Sequence, residues 1–286
     1  MEAGLRSERF VRLFVRRNDC LPEISQGEET VPMSVEGKIV MVTGGAKGIG
    51  ASIVKLFLER NAQVVIADAS PDGEAAAGQW QDQGKKAVYV QCDVSKAGDA
   101  KKAVTFAEEQ FGRLDVLVNN AGIFPRANLL QTDEAFWDRV MDINLKGVYL
   151  MCRAAVPVMI GQGGGCIVNI GSLHAATGGE ELFAYAISKG GVVTLTRNLA
   201  HALAKHRIRV NGVHPGWVPS HGERALMRSQ GAEDDWPEQR GSAIPLGRLQ
   251  TEDDIAESVV FLSSSSADQI TGQMLTVDGG LGFTLR

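Results

Sequence analysis

The chain has 286 residues, 44% hydrophobic and 22% charged, the composition of a globular protein with enough apolar surface for one full-sized core. A formal net charge of -5 and a pI near 5.6 exclude the concentrated basic face that nucleic-acid binding requires, so a small-molecule role is expected. Cys20, Cys92, Cys152 and Cys166 are widely spaced, with no C-x-x-C pair and no histidines at zinc-finger spacing, so neither a disulfide framework nor a metal site is expected and the reducing cytoplasm is the expected compartment.

Residues 1–35 read as an extension, expected to be disordered, in which "RFVRLFVRRNDCLPEISQGEET" mixes arginines with Phe10, Leu13 and Phe14. Glu2 and Glu8 weaken a transit-peptide reading, and Met33 is an alternative start. With no run of about 18 apolar residues, no membrane-spanning helix and no membrane partner are expected.

From Lys38 the pattern changes. The apolar run "KIVMVTGG" reads as a buried strand that ends in "TGGAKGIG", residues 43–50, where an apolar helix begins. Gly44, Gly48 and Gly50 permit a tight turn that aims helix-terminal N–H groups at a pyrophosphate, so Gly44, Lys47, Gly48, Ile49 and Gly50 are expected to line a dinucleotide. The second strand, "AQVVIADAS", ends in Asp68, eighteen residues past Gly50, where a carboxylate accepts hydrogen bonds from both adenosine ribose hydroxyls and repels a 2′-phosphate. Lys47 pulls the other way, since it could pair with a 2′-phosphate, the pyrophosphate or solvent. The balance favours NAD over NADP.

The alternation continues through "KAVYVQCDV", "LDVLVNN", a helix around 145–161, "CIVNIGS", a helix from about 183 to 205, "IRVNGVHPG", a helix after Thr251 and "QMLTVDGG". Seven β-branched runs joined by amphipathic helices predict a Rossmann-type doubly wound α/β fold: a seven-stranded parallel sheet with helices on both faces, in a single domain over 36–286. The one long irregular stretch, about 217–245, is expected to be a substrate lid.

Ser172 follows the fifth strand, and Tyr185 and Lys189 lie one turn apart at the start of the long helix, so all three face the crevice at the carboxyl ends of the strands. A free phenol titrates near pH 10 and is a poor base at neutrality, but an ammonium about 4 Å away favours the phenolate by roughly 4 kcal/mol at an effective dielectric near 20. Tyr185 is then a general acid or base for an alcohol or carbonyl, and Ser172 a hydrogen-bond partner of the same oxygen.

These motifs resemble the single-domain branch of the short-chain dehydrogenase/reductase family over about residues 36–282. The glycine spacing is similar to that branch and not to the longer epimerase-type branch. The resemblance implies that "NNAG", with Asn120, Ala121 and Gly122, braces the sheet beside the cofactor, and that Asp93 and Val94 of "CDV" meet the adenine amino group and ring. It implies that Asn144 of "DINLKGVY" distorts a helix and holds a water linking Lys189 to solvent. It also implies that "HPGWVPS" covers the nicotinamide through Pro215, Gly216, Val218 and Ser220, the last standing where the family usually has threonine. His214 replaces a common asparagine, with no role derived for it. A homotetramer through the two long helices, about 145–161 and 183–205, and through the last strand and the helix before it is implied as well.

His174, Trp217 and His221 are candidate substrate contacts, although a lone loop histidine is more often a surface hydrogen-bonder. Trp217, Met227 and Trp236 either wall the lid or pack locally. Glu223 and Arg224 place charge near the pocket mouth and point to a polar substrate such as a sugar or polyol derivative. The leading expectation is an NAD-dependent alcohol dehydrogenase or carbonyl reductase acting on a small secondary alcohol or ketone. The alternatives are an NADPH-dependent 3-ketoacyl-carrier-protein-type reductase, which Asp68 and the acidic pI disfavour, and a non-catalytic dinucleotide sensor, which the retention of Ser172, Tyr185 and Lys189 disfavours.

Overall fold

The computed structural model describes residues 34–284, so the extension lies outside the described residues except at its end, where Val35 is fully buried in the core. Seven strands form one sheet: β1 (Ile39–Thr43), β2 (Gln63–Asp68), β3 (Ala87–Gln91), β4 (Val116–Asn119), β5 (Gly165–Ile170), β6 (Ile208–Pro215) and β7 (Met274–Val277). Their order is β3-β2-β1-β4-β5-β6-β7, and every neighbouring pair is parallel. The expected Rossmann-type sheet is therefore present.

The alternation of side chains along each strand divides the core in two. Val40, Val42, Val64, Ile66, Val118 and Val168 pack beneath α1 (Gly48–Glu59), α2 (Asp72–Asp82) and α10 (Glu252–Ser263). Met41, Val65, Ala67, Leu117, Ile167 and Val210 pack beneath α3 (Ala97–Phe111), α5 (Gly147–Gly161) and α7 (Phe183–Leu203). Each such side chain contributes about 1.5–3 kcal/mol on full burial, which is why strands covered on both faces must be apolar throughout. The chain reverses its direction of travel across the sheet between β1 and β4, and ligands in open α/β sheets bind in the crevice at such a point.

The helix expected around 145–161 begins earlier. Asp133 caps α4 (Glu134–Met141) by accepting from the Phe136 N–H at 2.8 Å. A single π turn, Asp142–Lys146, then joins α4 to α5. The 28-residue helix so formed, Glu134–Gly161, is long and apolar enough by length and composition to cross a membrane, its most apolar 18-residue window having mean hydropathy 1.3. Its apolar side chains serve the fold: Val148, Met151, Cys152, Ala155 and Met159 are buried against the sheet.

The stretch 217–245 also differs from expectation. It holds α8 (His221–Ser229) and α9 (Trp236–Gly241) rather than a long irregular loop. Trp217, Met227 and Trp236 pack locally with Ile244 and Leu249, and the two indoles meet at 5.7 Å between ring centres. The remaining helices are short: α6 (His174–Thr177) after β5, and α11 (Leu281–Thr284) after β7.

The helix that starts at the glycine loop, α1, is held from behind by α10. A capping box of Thr251 and Asp254 starts α10, and the Arg248 guanidinium on Asp254 holds that carboxyl down at about 2. Lys55 and Ser52 both donate to Asp253, and Arg60 grips Glu257. Exposed pairs of this kind contribute little, so the contact rests on Ile53, Phe57, Ile255 and Val259, all buried.

Candidate active site

The loop between β1 and α1 is built as a cradle. Gly44 and Gly48 adopt φ of +62° and +56°, the left-handed region that favours glycine. A Cβ at Gly50 would collide with the Gly44 carbonyl and stand 2.6 Å from Asn120 Nδ2. No side chain caps α1 and its first turn carries no acid, which leaves the positive end of the helix to an anion. Ile49 turns its side chain against the core, so only its backbone belongs to the cradle.

Asn120 does brace the sheet here, and through named bonds. Its Nδ2 donates to the carbonyls of Thr43 and Gly44 at 2.9 and 3.0 Å, while the Thr43 hydroxyl accepts from the N–H groups of Asn120 and Ala121. Thr43 carries no sequence signal beyond its place at a strand end.

Asp68 sits at the end of β2 with Oδ2 accepting from Ala46 N–H and Oδ1 from Ser70 N–H. Lys47 is taken by Asp72, 2.6 Å away on the first turn of α2, and that carboxylate raises the lysine above its ordinary value. Asp93 accepts from the Ser95 hydroxyl and N–H and pairs with Lys96, and these partners hold its carboxyl below the usual range. Val94 is 6% exposed and packs against Gly147, where a Cβ would stand 2.8 Å from it, so little of its side chain is open to a ring.

Ser172, Tyr185 and Lys189 come together at the carboxyl end of β5. Ser172 and Lys189 are buried and Tyr185 is half-buried, with its phenol hydrogen-bonded to Ser172. The Lys189 amine donates to the Ile170 carbonyl at 2.8 Å and lies over the Tyr185 ring, 5.8 Å from its centre. Burial lowers this amine to about 8. Burial also pushes the Tyr185 phenol up; the Ser172 bond pulls it back, and the Glu223 charge adds to the rise. From sequence alone, a lysine charge about 4 Å away is expected to draw the phenol down. In the folded chain desolvation is the largest effect on the phenol, and it acts upward.

Asn144 is in the π turn, fully buried, accepting from Ile123 N–H at 2.8 Å and donating to the Ile123 carbonyl and the Ser188 hydroxyl. A Cβ at Gly122 would stand 3.2 Å from Asn144 Oδ1 and 3.6 Å from Lys189 Nζ, so these three positions adjoin. The helix distortion expected at Asn144 is thus present.

After β6, Val218 is buried in the core, the Pro215 carbonyl accepts from Leu173 N–H, and Gly216 lies so close to Gln250 and Asp278 that no side chain fits. Ser220 adjoins the glycine loop, its Cβ 3.8 Å from where a Gly48 Cβ would stand. His214 has a role that sequence reasoning did not find: its Nδ1 accepts from the Ser172 N–H at 2.9 Å. Burial, then the charges of Lys189 and Arg197, push the imidazole below its ordinary value, which keeps it neutral and able to accept.

Of the candidate substrate contacts, His174 turns Nδ1 back to the Gly178 carbonyl in its own loop, and Trp217 donates from Nε1 to Glu223. The His221 side chain lies outside the described residues. Arg224 donates to the Pro219 carbonyl, whereas Glu223 is buried and also meets Arg126, a residue whose signal was only that of a lone charge in "IFPRAN". A cavity of about 620 Å³ at the amino-terminal ends of the strands, lined by Lys38, Arg113, Asp115, Arg209 and Asp268 among others, has no part in this site. The five charged side chains named are engaged with one another or with backbone carbonyls. Among the described residues no cluster of His, Cys, Asp or Glu is placed to hold a metal.

A glycine cradle at the switch point and a Ser–Tyr–Lys group beside it define a dinucleotide-linked oxidoreductase of alcohols or ketones, and the chain belongs to the short-chain dehydrogenase/reductase family. Residues 44–282 match the family model described as enoyl-(acyl carrier protein) reductase. The chain is 36% identical to (+)-borneol dehydrogenase 2 of Salvia officinalis, over 91% of this chain and 94% of that one. It is 37% identical to the 3-oxoacyl-[acyl-carrier-protein] reductase FabG of Thermotoga maritima, over 87% and 99%. The solved structure of gox2181 superposes with a TM-score of 0.81 at 32% identity, over 89% of this chain and 98% of that one.

The His214 contact makes a pH prediction. Its folded value lies below the ordinary 6.5, so the unfolded chain takes up a proton at a pH where the folded site refuses it, and stability falls as pH drops through about 6.5. Urea unfolding should show a larger loss between pH 7 and 5 for the native chain than for His214→Asn, whose amide oxygen can still accept from Ser172. Parallel losses would remove His214 from this role.

Proposed function

We propose that the chain is an NAD-dependent dehydrogenase or reductase of small secondary alcohols and ketones, with sugar or polyol derivatives as the favoured class, working as a homotetramer in the cytoplasm. The observation that carries this reading is the group formed by Ser172, Tyr185 and Lys189 at the carboxyl end of β5, beside the glycine cradle. The nicotinamide cofactor supplies the hydride acceptor or donor when bound. Gly44, Lys47, Gly48, Ile49, Gly50, Asp68, Asp93, Val94, the Asn120–Gly122 segment, Tyr185, Lys189, Pro215, Gly216, Val218 and Ser220 are the residues proposed to hold it. The donor set fits: an uncapped helix end for a pyrophosphate, and at Asp68 a carboxylate whose two oxygens each keep a lone pair beyond the backbone N–H they accept.

Tyr185 exchanges a proton with the substrate oxygen, and Ser172 hydrogen-bonds the same oxygen as its charge changes. Lys189 and Asn144 hold the helix start in register and place a cation below the phenol. Asp68 supports NAD because it would confront a 2′-phosphate, and Asp72 adds a second carboxylate that already occupies Lys47. Cys92, Cys152 and Cys166 are unpaired thiols, in keeping with a reducing compartment. Tyr149, Ile160, Ile187, Leu246, Leu275 and Phe283 are exposed on α5, α7, β7 and the segments beside β7, an apolar surface that a tetramer would cover. A second reading, reduction of a 3-oxoacyl group on a carrier protein, has the FabG relatives in its favour; the carboxylates at the end of β2 speak against its NADPH form.

Tyr185→Phe should lose alcohol oxidation to below a few percent of the native rate while calorimetry finds NAD affinity nearly intact. Retained turnover would break the proton-transfer assignment. Replacing Asp68 by Ala should narrow or reverse the preference for NAD over NADP in kcat/KM, and an unchanged ratio would move the selectivity elsewhere. Light scattering at micromolar concentration should give four chains per particle; a stable, active monomer would rule the tetramer out.

A further inference from the structure

One buried charge at this site neither gives a proton to the substrate nor takes one from it in the reading above. Glu223, in the first turn of α8, is 8% exposed, although a carboxylate taken out of water is costly unless its lone pairs are met. Its Oε1 accepts twice, from Trp217 Nε1 at 3.1 Å and from the Arg126 guanidinium at 3.2 Å. No donor among the described residues meets Oε2, and Oε2 is not one of the fully enclosed unpaired atoms, so it keeps an opening.

Both partners of Oε1 border the reacting group. Trp217 directly follows Pro215 and Gly216. Arg126 directly precedes Ala127, whose N–H donates to the Glu181 carbonyl at 2.8 Å and whose carbonyl accepts from Phe183 N–H, two residues before Tyr185. The helix carrying Glu223 rests on the same loop, since a Cβ at Gly222 would stand 3.2 Å from the Phe124 ring. The carboxylate is near enough to Tyr185 for its charge to raise the phenol.

Resting on the oxidoreductase reading above, we propose that Glu223 is a substrate-binding residue whose Oε2 accepts a hydrogen bond from a second hydroxyl of the substrate, selecting vicinal diols and polyols over simple secondary alcohols. An ionised carboxylate only accepts, so the open oxygen asks for a donor. Arg126 balances the charge, which leaves a neutral, hydroxyl-bearing ligand as the fit. An anionic substrate would face Glu223 directly, and an apolar one would strip Oε2 of water without replacing it. Sites built to hydrogen-bond a substrate hydroxyl reject the analogue that lacks it far more strongly than apolar pockets reject a missing methylene.

Butane-2,3-diol and butan-2-ol differ by that one hydroxyl and make the test. With NAD, the native chain should favour the diol by at least about tenfold in kcat/KM. Glu223→Met, of similar length but without acceptors, should bring the ratio near one, and Glu223→Gln should lower it by about threefold or more, serving also if the Met variant folds poorly. A native ratio near one, or a ratio unchanged in both variants, overturns the proposal. Equilibrium binding of the diol to Tyr185→Phe with NAD, followed by NMR, separates the two readings. If the native chain oxidises no alcohol the oxidoreductase reading falls, while diol binding that Glu223→Gln weakens still supports the subsite, and diol binding that is absent or insensitive to Glu223 sinks it.

Discussion

The site depends on holding one amine out of water. Lys189 is 4% exposed, and its hydrogen bond goes to the carbonyl of Ile170, the last residue of β5. An ammonium has three donors and burial penalises its charge, so with one donor placed the group drops to about 8, close to neutrality. A lysine at the surface of the same helix would stay charged and would be screened. Gly122 lines this pocket, where a side chain would crowd Asn144 Oδ1 and stand in contact with Lys189 Nζ.

Burying that amine fixes what the neighbouring helices must do. Asn144 faces Ser188 only because the π turn advances the chain by one extra residue per turn, and Ser188 in turn donates to the Tyr185 carbonyl at 2.7 Å. Deeper in the same face, Asn119 donates to Asn169, Asn169 to the Thr196 hydroxyl, and Thr196 to the Val192 carbonyl. Two strands and the long helix are thereby tied through polar atoms, which demand definite geometry where apolar contact alone would tolerate sliding. The helix that carries Tyr185 and Lys189 inherits its register from these bonds.

The strands were legible because a parallel sheet covered on both faces leaves no polar position along IVMV or VVIA, and the Tyr185–Lys189 pair because one helical turn is a fixed spacing. Other features were not legible, each for its own reason. A π turn leaves no composition of its own in DINLK. The Arg126–Glu223 pair joins residues 97 apart, which no local pattern encodes. The helices α8 and α9 are too short for a periodic signal, and α9 opens with Trp236–Pro237. His214 was visible as a departure from the family pattern, but its role depends on a backbone N–H in another strand's loop. For the phenol the expected direction was reversed: the sequence could place a charge one turn away, yet desolvation depends on what the rest of the chain wraps around it.

That last point bears on direction. In the protein as folded, burial and Glu223 keep the Tyr185 proton in place at neutral pH, so the resting group is a donor, the form that gives a proton to a carbonyl oxygen. Taking a proton from an alcohol requires positive charge near the phenol to outweigh both effects. Lys189 supplies one such charge while it remains protonated, that is, below about 8. Burial therefore sets the poise of both groups, keeping the proton on the phenol and loosening it on the amine, and Glu223, proposed above to recognise a hydroxyl, also biases the phenol toward keeping its proton.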